Sequence, residues 1–311
     1  MNRHLIPAVL LTSLALGACA REQPASDSAD SATDSASAQK LGETTGFDTP
    51  ESARYDAELD VFYVSNINGN PSAKDNNGWI ARVRADSIGV MTRLVEGGKN
   101  GVTLHAPKGM ALRGDTLFVA DIDAVRMFNR RTGAALGSVM VRGATFLNDV
   151  AAGPDGIYIT DTGIRFDAQG NVSHPPDSDR VFKLAGGRVT VALTGDTLGR
   201  PNGIAWDAAG NRFIIVPFAG SALLAWTPGS ATHTTLVSGP GQYDGVEVLA
   251  NGNMLVSSWA DSTVHVVHGG SHMMPVIRNV TAPADIGVDS KRNVVAVPRF
   301  MDGKVEYYRI P

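Results

Sequence analysis

Six times between residue 50 and the C-terminus the chain repeats one short pattern, and this repetition restricts the possible folds more than any other feature. A proline or another residue unsuited to a helix comes first. A polar residue, a small one and an apolar one follow, and then a strand-like run. The copies read Pro50-Glu51-Ser52-Ala53, Pro107-Lys108-Gly109-Met110, Leu147-Asn148-Asp149-Val150, Pro201-Asn202-Gly203-Ile204, Tyr243-Asp244-Gly245-Val246 and Pro283-Ala284-Asp285-Ile286. Their spacing is irregular but close to the roughly 40–50 residues of one β-propeller blade. Six copies predict six blades.

Each repeat divides into four short runs rich in β-branched and aromatic residues and bounded by Gly, Asp and Asn, the composition of strands and turns. In the second repeat these are 108–112, 116–120, 125–128 and 136–141, and in the fourth 202–206, 212–216, 222–226 and 234–237. Past the N-terminal apolar run no window keeps a 3.6-residue apolar period, so helices are not expected. The last repeat supplies three runs, 285–288, 294–297 and 305–310, and the segment around 41–47 is the expected donor of the fourth. The predicted fold is therefore all-β: a six-bladed β-propeller with four antiparallel strands per blade, its ring closed by an N-terminal strand that leaves no long sheet edge exposed.

Composition agrees with one closed domain. A 43% hydrophobic content can fill a sizeable core, and 34 glycines suit short strands joined by many tight turns. A net charge of -4 with no basic run lacks the electrostatic footprint of a nucleic-acid binder.

The N-terminus has a separate character. Arg3 and His4 precede an apolar run, 5–16, too short to cross a bilayer and shaped like a signal-peptide core. Its end, Leu16-Gly17-Ala18-Cys19, resembles the lipobox of bacterial lipoproteins, which implies lipidation at Cys19. The alternative is an ordinary cleaved signal. Cys19 is the only cysteine, so no internal disulfide is available. Residues from 20 to about 42 are mostly Ser, Ala, Asp and Thr and cannot bury enough surface to fold. The expected organisation is a lipoprotein signal (1–19), a disordered tether (20–42) and the propeller (43–311). Ala20, in place of an aspartate, suggests the outer membrane of a Gram-negative cell, with the domain facing periplasm or surface.

Aligning the repeats places Glu51, Lys108, Asn148, Asn202, Asp244 and Ala284 at equivalent points around the central channel. Oxygen donors without Cys or His suit a hard cation, Ca2+ first, with Mg2+, Mn2+ or Zn2+ as alternatives. Glu51 and Asp244, with Asp149 and Asp285 one residue beyond the ring, bring four negative charges towards the axis, and Lys108 offsets one. Two long connections, 66–78 and 161–179, overhang the same face. They are expected to wall a cleft, with Arg165 and Phe166 as substrate contacts; the alternative is surface decoration.

In order and spacing, the Pro-Glu at the domain start, the Asn-Asp of the third repeat, Pro201-Asn202-Gly203-Ile204-Ala205-Trp206 and Asp244-Gly245 resemble the gluconolactonase/regucalcin family. These are six-bladed propellers related in layout to paraoxonases and strictosidine synthases, and the resemblance spans about residue 47 to the end. It implies one divalent metal held by Glu51, Asn202 and Asp244, with Asn148 as ligand or substrate contact. It also implies hydrolysis of lactones, and sometimes of other esters or phosphoesters. Lys108 stands where paraoxonases place a histidine, with His105 three residues upstream, and the sixth repeat has Ala284 with Asp285 shifted by one.

The expected activity is metal-assisted attack of water on a lactone or ester carbonyl. Lys108 would steady the oxyanion, and Asp149, Asp285 or His105 would take the proton. Alternatively, Lys108 pairs with Glu51 or Asp244 and replaces the ion. The competing functions are a non-catalytic propeller binding a ligand or protein at the cell envelope and, ranked last, condensation chemistry. The expected partners are a small lactone or ester and, only through the lipid on Cys19, a membrane; the chain is expected to be a monomer. His233, His265, His268 and His272 read as surface or edge residues, Trp206, Trp226 and Trp259 as packing between blades, and Asp121-Ile122-Asp123 as a turn.

Overall fold

The computed structural model describes residues 38–167, 169 and 171–311. The expected signal, Cys19 and residues 20–37 of the expected tether lie outside the described residues. Ala36–Pro311 form one compact unit.

Among the described residues six four-stranded antiparallel sheets make up a propeller, and the sole helical element is a 3-10 turn, Asp196–Leu198. Blade one runs outward in chain order: Pro50–Asp56, Val61–Asn66, Trp79–Arg84 and Met91–Glu96. The inner strands of blades two to five are Pro107–Arg113, Leu147–Ala152, Pro201–Asp207 and Tyr243–Val248. Blade six combines Gly287–Asp289, Val294–Arg299 and Lys304–Arg309 with Gln39–Thr45 from the other end of the domain. Closure by an N-terminal strand is therefore observed, but the strand begins at Gln39. Residues 39–42, read from composition as tether, are strand instead, because pairing with Lys304–Arg309 satisfies backbone groups that composition alone leaves unassigned.

The closing seam carries its own electrostatic latch. Glu43 and Glu306 face each other across the two strands, which alone would repel. Lys40 bridges them at 2.9 and 2.7 Å, and Lys304 at 3.3 and 2.9 Å. Burial raises the Glu306 pKa, but hydrogen bonds from Lys40, Lys304, Tyr308 and Arg299 outweigh it and bring the carboxyl down to about 2.

The core is not one centre. Six large apolar clusters each lie between two adjacent blades, such as the one joining Tyr158 and Val181 of blade three to Ile204, Phe213 and Trp226 of blade four. Trp226 stacks on Phe213 at 5.8 Å, and Trp206 packs on the same ring at 4.8 Å, as expected for both tryptophans. Each large side chain buried in this way contributes roughly 1.5–3 kcal/mol. With no disulfide among the described residues, these layers hold the ring closed.

Candidate metal centre

The recurring motif is a β-bulge. In five inner strands the pairing register breaks at the polar residue: between Pro50 and Ser52, Pro107 and Met110, Leu147 and Val150, Pro201 and Ile204, and Tyr243 and Val246. A bulge frees a residue from its ladder partner and re-aims its side chain. Here it turns Glu51, Lys108, Asn148, Asn202 and Asp244 towards the axis, where all five are buried. The small residue that follows has a separate cause. A Cβ at Gly203 would overlap the Asp244 carbonyl oxygen, so inner strands of neighbouring blades can meet only without one.

The ring supplies oxygens that nothing among the described residues satisfies. Glu51 Oε2 is buried and accepts no hydrogen bond. Its pKa is pushed well up, first by burial and then by the charge of Asp244. Asp244 is raised for the same first reason, with Asp285 as the next cause. Two desolvated carboxylates this close must take up a proton or a cation. The two amides face the same way: Asn148 Nδ2 donates to Thr162 Oγ1 at 2.9 Å and Asn202 Nδ2 to the Tyr243 carbonyl at 3.3 Å. Their nitrogens are committed to the wall, which leaves both Oδ1 atoms for the channel. Among the described residues no three His, Cys, Asp or Glu side chains could hold a metal by themselves, so a site here depends on these amide oxygens.

Lys108 reaches the ring without neutralising it. Its Nζ donates to the carbonyls of Pro71 and Ala106, both at 3.1 Å, and lies 4.2 Å from the centroid of Phe146. It makes no ion pair with Glu51 or Asp244, so the alternative in which it substitutes for the ion is not what the geometry shows. Burial lowers its pKa to about 8 against the opposing pull of Glu51. His105 is fastened elsewhere. Its Nδ1 accepts the Asn76 backbone N–H at 3.0 Å, so a neutral ring carries its proton on Nε2 and has no free base.

Asp149 and Asp285 occupy a second layer below the ring. Both oxygens of Asp149 accept backbone N–H groups, from Val150 at 2.6 Å and from Ile204 in the next blade at 2.7 Å. Asp285 joins the last blade to the first: its backbone bonds Glu51 and Ala53, and its Oδ2 accepts the Ser52 hydroxyl at 2.5 Å. Arg54 lies among these acids, 2.5 Å from Glu247 and 3.7 Å from Asp285. Burial raises Asp285 to about 6 and Glu247 to about 7, in each case against the pull of Arg54. A cavity of about 230 Å³ beside Arg54, Trp206 and Glu247 lies at the far end of the inner strands.

Both long connections are anchored over the ring face. The first places Pro71 on Lys108 and pairs Lys74 with Asp123 at 2.5 Å. The second contains a two-stranded ribbon, Arg165–Phe166 with Val172–Ser173. Phe166 packs on Phe146 at 5.9 Å, beside Lys108, while the Arg165 side chain is exposed. A larger cavity of about 380 Å³ between blades two and three is walled by Phe118, Met127, Val139, Ile157 and Leu184 and has no convergent polar set, so it is not the candidate centre.

The structure adds residues that motif reading did not find. Trp259, expected between blades, does pack between Phe218 and Phe300 of the flanking blades, and it also lies beside Asp244. Its indole N–H helps hold the Asp244 pKa down, yet it falls short of hydrogen-bond geometry and has no other partner. His265, expected at the surface or an edge, is buried in the third strand of its blade with Nε2 2.8 Å from Asp261. Asp121 and Asp161, each ending a second strand, accept the backbone N–H groups of His105 and Ala106 and of Thr145 and Phe146 respectively. Each shapes the entry to the motif of its own blade. The signal was present as an acid closing the second strand of two successive repeats.

A propeller of six blades with carboxylate and amide oxygens gathered at one end of its axis is thus the class of protein defined by fold and site. Residues 49–295 match the SMP-30/Gluconolactonase/LRE-like region, and the chain belongs to that family. Members of the family generally bind a divalent metal. Similar solved structures include a candidate gluconolactonase from a structural genomics consortium, 17% identical over 89% of this chain and 92% of that one, TM-score 0.65. A gluconolactonase from Xanthomonas campestris is 16% identical over 88% and 89%, TM-score 0.63. A luciferin-regenerating enzyme is 13% identical over 87% and 94%, TM-score 0.64. No curated protein sequence matches the chain. At these identities the structural likeness shows the fold.

Proposed function

We propose that this protein is a divalent-metal-dependent hydrolase of small lactones or esters, with its site at the oxygen ring. The observation that carries this reading is the buried Glu51 carboxyl, its Oε2 without a hydrogen bond and its charge felt by Lys108 but not met in an ion pair, set against Asp244. Glu51, Asp244, Asn202 and Asn148 would hold the cation, with Ca2+ the ion best matched to an all-oxygen set. Such an ion, when bound, supplies Lewis acidity for an acyl carbonyl and for water.

The chain's own groups do the rest. Lys108 commits two of its three N–H groups to carbonyls and keeps one for a developing oxyanion. Of the three residues considered for accepting the proton, Asp149 has both oxygens engaged and His105 has its acceptor nitrogen occupied. Asp285 keeps Oδ1 unpartnered, which favours it for that role. Pro71 and Phe146 cover the Lys108 Nζ, with Phe166 packed on Phe146, an enclosure that would limit bulk water at that side of the ring. Family membership does not favour the non-catalytic alternative.

The test is Ca2+ titration of the full chain beside Glu51→Ala and Asp244→Ala, followed by a lactone and ester panel with and without chelator. Saturable binding lost in both variants, with turnover abolished by chelator, is expected. Binding that survives both substitutions, or turnover indifferent to chelation, would remove the reading. The lipobox-like run supports a further proposal, that the mature chain is anchored to the cell envelope through Cys19. Palmitate labelling should disappear in Cys19→Ser, and persistent labelling would refute the anchor.

A further inference from the structure

A second ring surrounds the first. The residue immediately after the second strand of each blade is Ile67, Ile122, Thr162, Phe218, Trp259 and Phe300 in turn. In five blades its backbone N–H donates to the residue just before the polar motif: Ile67 to Thr49, Thr162 to Phe146, Phe218 to Arg200, Trp259 to Gln242 and Phe300 to Ala282. In blade two the Ile122 carbonyl accepts from Leu147 instead. The position is therefore set by the fold, one step outside the ring of oxygens, and five of its six side chains are apolar.

From blade four round to blade two these side chains touch in succession. Phe218 meets Trp259 edge-on at 5.7 Å, and Trp259 meets Phe300 at 5.4 Å. Phe300 packs against Ile67, Ala106 and Ile122. On the remaining side Phe146 and Phe166 pack together at 5.9 Å. The wall touches the reactive floor twice, where Trp259 lies beside Asp244 and where Lys108 lies over Phe146. Phe218, Trp259 and Phe300 are each only half-buried, so part of each ring remains open. The one polar member, Thr162, already donates to the Pro201 carbonyl at 3.0 Å and accepts from Asn148.

We propose that this collar sets the substrate class: lactones or esters carrying an alkyl or aryl substituent, in preference to polyhydroxylated sugar lactones. The inference rests on the hydrolase reading above and specifies its substrate. Hydroxyls on a sugar lactone would lose water at the collar and find only the Trp259 indole N–H without a partner there, too little to replace several water contacts, which disfavours binding. An alkyl chain or aromatic ring gains contact with the open aromatic faces. Phe218, Trp259 and Phe300 are thus specificity-determining residues.

The experiment compares kcat/KM for δ-decalactone, dihydrocoumarin, unsubstituted δ-valerolactone and glucono-δ-lactone, using the full chain and a Phe218→Ala/Phe300→Ala variant. The substituted lactones should exceed glucono-δ-lactone by about tenfold or more, and the variant should erase most of that ratio while changing δ-valerolactone turnover far less. A parallel readout needs no turnover. The lactam analogue of dihydrocoumarin should perturb tryptophan fluorescence in the full chain and not in Trp259→Phe. Preference for glucono-δ-lactone, or a preference for substituted lactones that survives the variant, would overturn the collar proposal and leave the hydrolase reading intact. Failure to hydrolyse any of the four would remove that reading and this proposal together.

Discussion

Two layers of charge lie along the axis, a few residues apart in each inner strand, and they solve the same problem in opposite ways. The lower layer is largely compensated from within: Arg54 serves Glu247 and Asp285, Ser52 serves Asp285 Oδ2, and backbone N–H groups serve both oxygens of Asp149, leaving Asp285 Oδ1 as its one unpartnered oxygen among those named. The upper ring is not. Glu51 lacks a donor, the Trp259 indole falls short of hydrogen-bond geometry with Asp244, and Lys108 spends its hydrogen bonds on carbonyls. Buried acid with internal partners is architecture, whereas buried acid without them has oxygens left to hold a proton or, on the reading proposed above, a cation. The ring therefore keeps a costly arrangement that a proton or a bound cation would relieve, as is common where structure serves function.

The sharpest way to break this comparison is to remove ring oxygens. Glu51→Ala or Asp244→Ala should lower kcat/KM roughly a thousandfold, the kinetic equivalent of about 4 kcal/mol. In chelator, Glu51→Gln should leave the melting temperature unchanged or raise it, because an unpartnered buried acid is lost. A drop in melting temperature would place Glu51 with the lower layer instead. Arg54→Met should do the reverse, costing about 3 kcal/mol in chemical denaturation by leaving Glu247 and Asp285 without their cation. An unchanged denaturation midpoint would show that the lower layer is not self-compensated through Arg54.

Lys108→Met separates charge from coordination. With one positive charge gone from beside the ring, calorimetric Ca2+ affinity should rise, while kcat falls about a hundredfold through loss of the oxyanion donor. The two quantities falling together would mean that Lys108 only shapes the site. The smallest effect concerns Glu306 at the closing seam, a compensated acid outside the axis. Its pKa is about 2 folded against an ordinary 4.5, so its stabilisation is complete above pH 4.5 and fades as pH falls towards 2. Thermal melts of Glu306→Gln against the unsubstituted chain should differ most at neutral pH and converge in acid; a constant difference would exclude the latch.

Much of the fold was legible because a propeller is written as a repeat. The motif's polar-then-small order marks the bulge and the close approach of inner strands, and the strand boundaries for blades two and four agree within a residue or two with 107–113 and 201–207. The ring residues Glu51, Lys108, Asn148, Asn202 and Asp244 were recoverable from alignment of those copies alone. The tether boundary was misjudged because Gln39 and Lys40 look disordered until Lys304–Arg309 is beside them. Trp259 does pack between side chains of the flanking blades, Phe218 and Phe300, but its place beside Asp244 depends on a fold-level neighbour that one dimension does not show.

The sequence by itself determined the number of blades, their strand order and which polar residues reach the axis, since each depends on local patterning repeated at intervals. Only the tertiary structure decided how those residues are partnered. Whether a buried carboxylate is satisfied depends on atoms arriving from other blades: Ile204 N–H for Asp149, Arg54 for Asp285, and nothing for Glu51 Oε2. Desolvation and hydrogen bonding act over a few ångströms, across separations of 55 and 231 residues in the first two cases (204 − 149 and 285 − 54). No local pattern encodes such distances, and they make one layer of acid structural and the other available to a metal.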